Sequence, residues 1–405
     1  MNSLSPFNAD SPPRWRPAQA TLSLMVVGAL LGLPLLRVAP NRLVSGQAVS
    51  FFSLVQGPVW GLAALLAALL LLSLTPPKRV SLWLSMAAAA ALVVGLGGLA
   101  AHHAIQMVSV DVPFARTSMG SGLWLAWLLL GLVLADALQT LRASTWMRLS
   151  VAAAVVLPLA WMLASGTADE LSIMKEYANR DDAFWEAIAR HGQIVSLALA
   201  FTLAIGLPLG WATHRYTAVG RAMFPVLNII QTIPSIALFG LLMAPLAWLA
   251  VRWPVLGDAG ISGVGLAPGV LALMLYSLLP VVRGTLAGLA QVPSAVTQAA
   301  LGMGFSQSQL FWQAQVPLAL PVVLGGIRTA SIQAVGLAAV TTLIGAGGLG
   351  NLMFEGLFSS AQDLVLLGVV PIVVLGALVD GAFKILIRLT RPVTPRMEFS
   401  RRDSH

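Results

Sequence analysis

Cysteine is absent from all 405 residues, which excludes disulfides, thiol catalysis and thiolate metal sites. Charge is almost as scarce: 9% of residues are charged, against about 25% in a typical soluble domain. The five histidines, His102, His103, His191, His214 and His405, show no metal-ligand spacing with carboxylates. No G-x4-G-K-[ST] run occurs, so any nucleotide must be bound by another chain. Nothing like G-x-S-x-G appears either. The sequence offers no catalytic set, and neither an enzyme activity nor a bound cofactor or metal is expected of it.

What the chain has in excess is apolar length. Hydrophobic residues make up 58% of it, more than a soluble protein of this size can bury, so lipid must be the solvent for much of the surface. A spanning helix needs about 20 apolar residues. Ten stretches qualify, near 19–37, 57–75, 80–101, 121–141, 149–166, 190–212, 225–250, 265–283, 318–344 and 363–389. These runs are continuous and lack two-residue alternation, which excludes a β-barrel. The fold class is all-α, a polytopic membrane protein.

Charge placement orients it. With the N-terminus inside, the inner segments hold Arg14, Arg16, Lys78, Arg79, Arg142, Arg148, Arg215, Arg221, Arg283, Arg328, Lys384, Arg388, Arg391, Arg396, Arg401 and Arg402, sixteen of the 23 basic residues. Ten of the 15 acids fall outside, including Asp169, Glu170, Glu176, Asp181, Asp182 and Glu186. This is the asymmetry of the positive-inside rule, with both termini cytoplasmic. The net charge of +8 sits beside helix ends and in the tail, where anionic lipid attracts it; no nucleic acid partner is implied. Trp15, Trp60, Trp83, Trp146, Trp161, Trp211, Trp248 and Trp253 lie near span ends, as interfacial anchors do. The first span is read as a retained anchor, since it lacks a small-x-small cleavage site.

A charged external loop, 167–189, divides the chain into a five-span region (1–166) and a second membrane region (190–390) followed by a basic cytoplasmic tail (391–405). The second region is rich in Gly and Pro, and is interrupted by a polar cytoplasmic loop, 284–317. No internal repeat of the kind found in inverted-repeat carriers is visible. Small residues such as Gly206, Gly210, Gly240, Gly284, Gly288, Gly325, Gly326 and Gly336 suit close helix packing in lipid.

The loop reads as two short helices. Pro293 and Ser294 mark a start, with Ser294 able to cap, and a first helix is expected over 295–303. Gly304 supplies a left-handed turn. Ser306 with Gln309 fits a capping box for a second short helix carrying Leu310, Phe311 and Trp312. Pro317 and Pro321 bracket the return to the membrane. Helices resting on lipid usually present Lys or Arg to the headgroups, yet no charge occurs between Gly284 and Ile327. Docking in a groove of a partner protein fits better.

Gln298-Ala299-Ala300, three residues, Gly304, nine residues, then Ala314-Gln315-Val316-Pro317 resemble the EAA loop of permease subunits of binding-protein-dependent ABC importers, roughly E-A-A-x3-G-x9-I-x-L-P. The stretches NIIQTIPSIALFGLL (228–242), YSLLPVVRGTLAGL (276–289), LPVVLGGIRTA (320–330) and TTLIGAGGLGNLMFEGL (341–357) look like its osmoprotectant branch, which imports glycine betaine, choline and related compounds. The resemblance covers about 190–390. The extra N-terminal spans, with APNRLVSG (39–46) and DELSIMKEYANRDD (169–182), look like the long-permease subgroup exemplified by the Yeh osmoprotectant system. The resemblance implies a five-helix type I importer core in a bacterial inner membrane. It also implies a second permease subunit, a periplasmic substrate-binding protein, and a cytoplasmic ATPase that uses ATP and Mg and docks on Gln298, Ala299, Ala300, Gly304, Ser306, Leu310, Phe311 and Pro317. Gln298 stands where the family has glutamate, so a salt bridge to the ATPase does not carry over. Ala314 and Val316 replace the usual Ile and Leu.

Other features are weighed beside this. Gly345-Ala-Gly-Gly-Leu-Gly350 matches G-x-G-x-x-G, but a dinucleotide site needs a preceding strand and a βαβ unit; here it follows a membrane helix. Charges that fall within spans include Asp136, Arg328 and Asp380. Arg328 is expected either to pair with Asp380 or to snorkel while Asp380 pairs with Lys384 at i, i+4. Polar interruptions at Asn228, Gln231, Thr232, Pro234 and Ser235, at Tyr276 with Pro280, and at Ser331, Gln333, Thr341 and Thr342 mark either a translocation path or polar glue between helices. No aromatic cage for a quaternary ammonium is clustered in the membrane core, which fits selectivity residing on a separate binding protein. Alternatives are a permease for another small polar solute such as an amino acid, and an ion-coupled transporter, which would place ionisable groups at the midplane.

Overall fold

The computed structural model describes residues 16–41, 44, 46–54, 59–108, 114–258 and 260–390. Arg14, the basic tail 391–405 and three positions of the 39–46 segment lie outside the described residues. The fold divides into two compact units between Asn179 and Arg180.

In the first unit, helices α1 (Pro17–Gly32), α2 (Val59–Ser73), α3 (Arg79–Met107), α4 (Ser121–Thr140) and α5 (Thr145–Ala164) follow the expected stretches. Leu30, Leu69, Leu82, Leu92, Leu96, Leu123 and Leu130 are fully buried between the first four. None of the residues of α5 is buried, which suits a helix whose outer faces meet lipid. Arg16, at the start of α1, is buried and donates to the carbonyls of Leu72 (2.6 Å), in the last turn of α2, and Thr75 (3.4 Å), just beyond it. Burial lowers its pKa, while the negative charge of Asp136 on α4 raises it.

Two features depart from the sequence expectation. The all-α chain carries a three-stranded antiparallel sheet in the order β2-β1-β3, built from β1 (Leu36–Ala39), β2 (Gln47–Val49) and β3 (Arg116–Met119), with Leu36 opposite both Val49 and Met119. Strands this short carry little periodicity, and their pairing spans about eighty residues of sequence. The charged segment 167–189 is also not an open loop. It holds helix α6 (Ser172–Ala178) and the first residues of α7 (Asp181–Arg215). Arg116 of β3 meets Glu176 at 3.0 Å, and Lys175 donates to Ala115 O at 3.0 Å, which docks α6 on the sheet. Asp181 and Asp182 in the first turn favour the positive end of the α7 dipole. That acidic pair was the available signal for an earlier helix start.

The second unit continues with α8 (Thr217–Thr232), α9 (Ser235–Arg252), α10 (Pro254–Asp258), α11 (Leu266–Ala290), α12 (Ser294–Gly302), α13 (Gln307–Gln309), α14 (Val316–Ala338), α15 (Gly350–Phe358) and α16 (Gln362–Thr390). The expected span 225–250 is two helices, broken at Ile233-Pro234. A proline cannot donate to the ladder and pushes the preceding residue out of the α region. Among the described residues, eight helices are long and apolar enough to cross a membrane; Pro17–Gly32 and Trp60–Ser73 are apolar but shorter.

Helices α7, α11 and α14 form the centre of this unit, and glycines set how closely they approach. A Cβ on Gly284 would stand 2.7 Å from Gly326 Cα, and one on Gly210 would stand 2.5 Å from Thr285 Cβ. Backbone meets backbone at the α11–α14 crossing, so the structure cannot give way by rotating a side chain. Gly284→Leu is expected to destabilise the protein by at least the about 1–3 kcal/mol of ordinary overpacking. A thermal unfolding series in detergent checks this: Gly240→Ala, with open space around it, should match wild type and Gly284→Leu should unfold earlier.

Candidate functional site

The loop between α11 and α14 is built by local rules. Helix α12 starts at Ser294, but Pro293 occupies the N-cap and no side chain caps it; the capping role expected for Ser294 is not realised, because Ser294 already lies within the first turn. The C-terminus is a full Schellman motif. Phe305 N–H donates to Ala300 O (3.1 Å), Gly304 N–H donates to Leu301 O (3.0 Å), and Gly304 has φ +86°. The capping box is complete: Ser306 Oγ accepts from Gln309 N–H (3.3 Å), and Gln309 Oε1 accepts from Ser306 N–H (2.8 Å).

Beyond the box, the structure differs from two short helices with a proline-bracketed return. Gln307–Ala338 is one continuous apolar run of helix, and Leu310–Gln315 is a π-turn, with Val316 N–H donating to Phe311 O. Pro317 and Pro321 lie inside this helix. A proline ring collides with the carbonyl four residues back and leaves it without a donor. Widening one turn to i, i+5 bonding displaces the carbonyl of Gln313, four residues before Pro317, so the helix passes through 310–315 without ending.

The segment presents a mostly uncharged, exposed surface. Gln298, Ala299, Gly304, Ser306 and Pro317 are exposed, while Ala300 and Leu310 are buried. Met303 and Trp312 are 71% and 65% exposed. Phe311 packs edge-on against Trp312 (5.0 Å) and against Trp211 of α7 (6.4 Å). Trp211 thus links the 298–317 segment to α7, a contact that no sequence spacing announced.

The other predicted polar residues fall into separate groups. Gln231 donates to Tyr276 O, and the buried Tyr276 hydroxyl donates to Ile233 O. The α8–α9 break around Pro234 and Ser235 is therefore clamped to α11, its freed backbone carbonyl satisfied by a side chain. Asn228 accepts from Arg283 at 2.8 Å. Thr232, Ser331 and Thr341 donate to carbonyls of their own helix or turn, Ile229 O (2.7 Å), Ile327 O (2.9 Å) and Ala338 O (2.7 Å); Ser331 and Thr341 are buried. Gln333 is half-buried.

Asp380 on α16 sits between two cations. Arg328 of α14 donates through Nε to its Oδ1 at 2.6 Å, and Lys384 Nζ lies 2.6 Å from Oδ2. The cross-helix pair and the i, i+4 pair coexist. The 345–350 glycine run follows a tight turn of helix rather than a strand; Gly345, Gly347 and Gly348 take left-handed φ, and α15 follows. No group of side chains able to hold a metal ion occurs among the described residues.

Two family models match the chain, one for each unit of the fold. Residues 202–392 match the binding-protein-dependent transport system inner membrane component, and residues 16–174 match the N-terminal domain of ABC transporter permease YehY. The osmoprotectant import permease protein OsmW of Salmonella typhimurium is 37% identical over 51% of this chain and 90% of its own length. The glycine betaine/carnitine/choline transport system permease protein OpuCD of Bacillus subtilis is 32% identical over 50% of this chain and 82% of its own. A solved inward-facing MetNI methionine ABC transporter chain aligns over 52% of this chain and 97% of its own, with 21% identity and a TM-score of 0.44. The chain belongs to the family of inner membrane permease components of binding-protein-dependent ABC transport systems, with an N-terminal domain of the YehY type.

Proposed function

We propose that this permease imports glycine betaine or a related osmoprotectant, as the names of its relatives say of them. The coupling segment carries the reading: two capped turns, an uncharged exposed surface and a helix that runs unbroken into the membrane. An ATPase seated on Gln298–Phe311 would move α14 through the helix that runs on from Gln307, with the Gly304 turn setting how α12 is carried on it. Gln298 is exposed and neutral, so this contact uses packing and neutral hydrogen bonds. ATP and Mg belong to the ATPase chain, and this chain does no chemistry of its own. Substrate arrives on a periplasmic binding protein, and a second permease copy or close homologue completes the pathway. Both termini are cytoplasmic.

Labelled uptake in a deletion strain tests the substrate. Glycine betaine, choline, carnitine and histidine are compared with and without the transporter. ATP-dependent uptake of a quaternary ammonium compound is the expected result. Uptake of histidine alone would move the assignment to an amino acid, and uptake that follows an ion gradient without ATP would remove the ABC mechanism.

A further inference from the structure

At the N-terminal end of α7 lies a cavity of about 830 Å³ whose wall carries both signs of charge, from Arg180, Glu186, Arg190 and Glu355 together with Gln193 and the glycine run 345–348. Arg190 and Trp211 are 21 residues apart on one helix, which is about 30 Å and close to the thickness of the hydrocarbon core. Trp211 touches the coupling segment. The cavity therefore lies at the opposite membrane face from the ATPase-docking helices, which on the reading above is the face where substrate arrives.

Its charges are unequally used. Arg180 and Glu355 neutralise each other across 2.6 Å. Glu186 and Arg190 stand at i, i+4, the spacing at which opposite charges on a helix usually meet, yet they do not pair. Arg190 turns instead to Ala346 O (2.8 Å) through Nε and to Gln193 Oε1 (2.8 Å) through one terminal nitrogen. That leaves guanidinium hydrogens on Arg190 and a whole carboxylate on Glu186 uncommitted on one wall.

We propose that this cavity is an entry site for a zwitterion. The Glu186 carboxylate would face the quaternary ammonium group, and the free donors of Arg190 would hold the carboxylate. One turn of α7, about 5.4 Å, separates the two residues, a spacing suited to a small solute with its two charges a few atoms apart. The inference rests on the osmoprotectant reading and names the residues that would receive such a solute. Arg190 also fixes the 345–348 turn, so a captured carboxylate would pull on the element that leads into α15.

The test uses the full-length permease in lipid nanodiscs, with Trp185, beside Glu186 and 60% exposed, as fluorescent reporter and calorimetry as a second readout. Three probes separate the charges: glycine betaine, choline for the cation alone and acetate for the anion alone. Wild type should bind betaine more tightly than choline, and acetate most weakly. Glu186→Gln should weaken betaine and choline at least tenfold. Arg190→Gln should weaken betaine by a similar factor and leave choline within twofold. Because Arg190 also supports the glycine turn, Glu186→Lys at an exposed position is a second variant; it should abolish choline binding. Failure of wild type to bind betaine, or equal betaine binding by wild type and both Glu186 variants, overturns the site. The uptake experiment is independent of this: ATP-driven betaine uptake without nanodisc binding leaves the function standing and removes the site. Betaine binding with no quaternary ammonium uptake does the reverse.

Discussion

Gly304→Val should lower ATP-coupled uptake about tenfold or more while leaving the amount of membrane-inserted permease within twofold of wild type. The reason is confined to the backbone. Gly304 has φ +86°, and no heavy atom lies within 4 Å of the place where its Cβ would sit. A side chain there meets no neighbour, so any effect comes from the left-handed conformation, which costs an L-residue about 1–2 kcal/mol and a β-branched one more. Relief of that strain undoes the two Schellman bonds to Ala300 and Leu301. It also re-aims α12 relative to the capping box at Ser306. Since about 1.4 kcal/mol is tenfold in an equilibrium, the docked geometry becomes a minority state. Gly304→Asn separates this cause from mere bulk, because asparagine tolerates the left-handed region. It should keep most of the uptake, with ATP hydrolysis by the assembled transporter still responsive to the binding protein. Equal loss in both variants would point to side-chain bulk at the ATPase surface, and full activity in Gly304→Val would remove the coupling role of this turn.

The same segment shows how far the sequence could be read and where it stopped. Gly304, Ser306 and Gln309 were legible because a C-cap and a capping box are settled within a few residues by local bonding. The continuity of the helix from Gln307 to Ala338 was not. Pro317 and Pro321 argue for a break, yet the wider π-turn at 310–315 accommodates Pro317 and the helix runs on. Membrane helices were visible as apolar runs, whereas the sheet of strands 36–39, 47–49 and 116–119 depends on pairing between distant, very short segments. The break at Ile233-Pro234 was signalled as a polar interruption, but the residue that closes it, Tyr276, could be tied to it only by the fold. For the cavity at the start of α7, Glu186 looked like one more acid in a charged run. Its failure to pair with Arg190 is a fact of geometry alone.

Neutralising Asp380 should harm this permease more than neutralising either cation it holds. Asp380 accepts from Arg328 and Lys384 on its two oxygens, within helices that cross the membrane. Asp380→Asn leaves two cations without a counter-charge, one of them on α14, the helix that continues from the 307–315 segment. Breaking a buried pair by removing one partner costs about 3–5 kcal/mol. The Arg328 and Asp380 side chains are 34% and 24% exposed from the protein, so about 3–5 kcal/mol is the upper limit here. Arg328→Gln is milder, since Asp380 keeps Lys384. Lys384→Gln is milder still, because that side chain is 61% exposed and its charge can reach the interface by snorkelling. Thermal midpoints in detergent and the level of inserted protein should therefore fall in the order Asp380, Arg328, Lys384. The decisive variant is the double, Arg328→Gln with Asp380→Asn. If the charges matter chiefly to each other, removing both restores much of the stability that Asp380→Asn loses, a non-additivity that a double-mutant cycle reads directly. Uptake should not recover with it if, as proposed, an ATPase drives α14, because the neutral pair no longer ties α14 to α16. Recovery of both stability and uptake would assign the pair to folding alone, and simple additivity would mean that Arg328 and Asp380 act independently despite their contact.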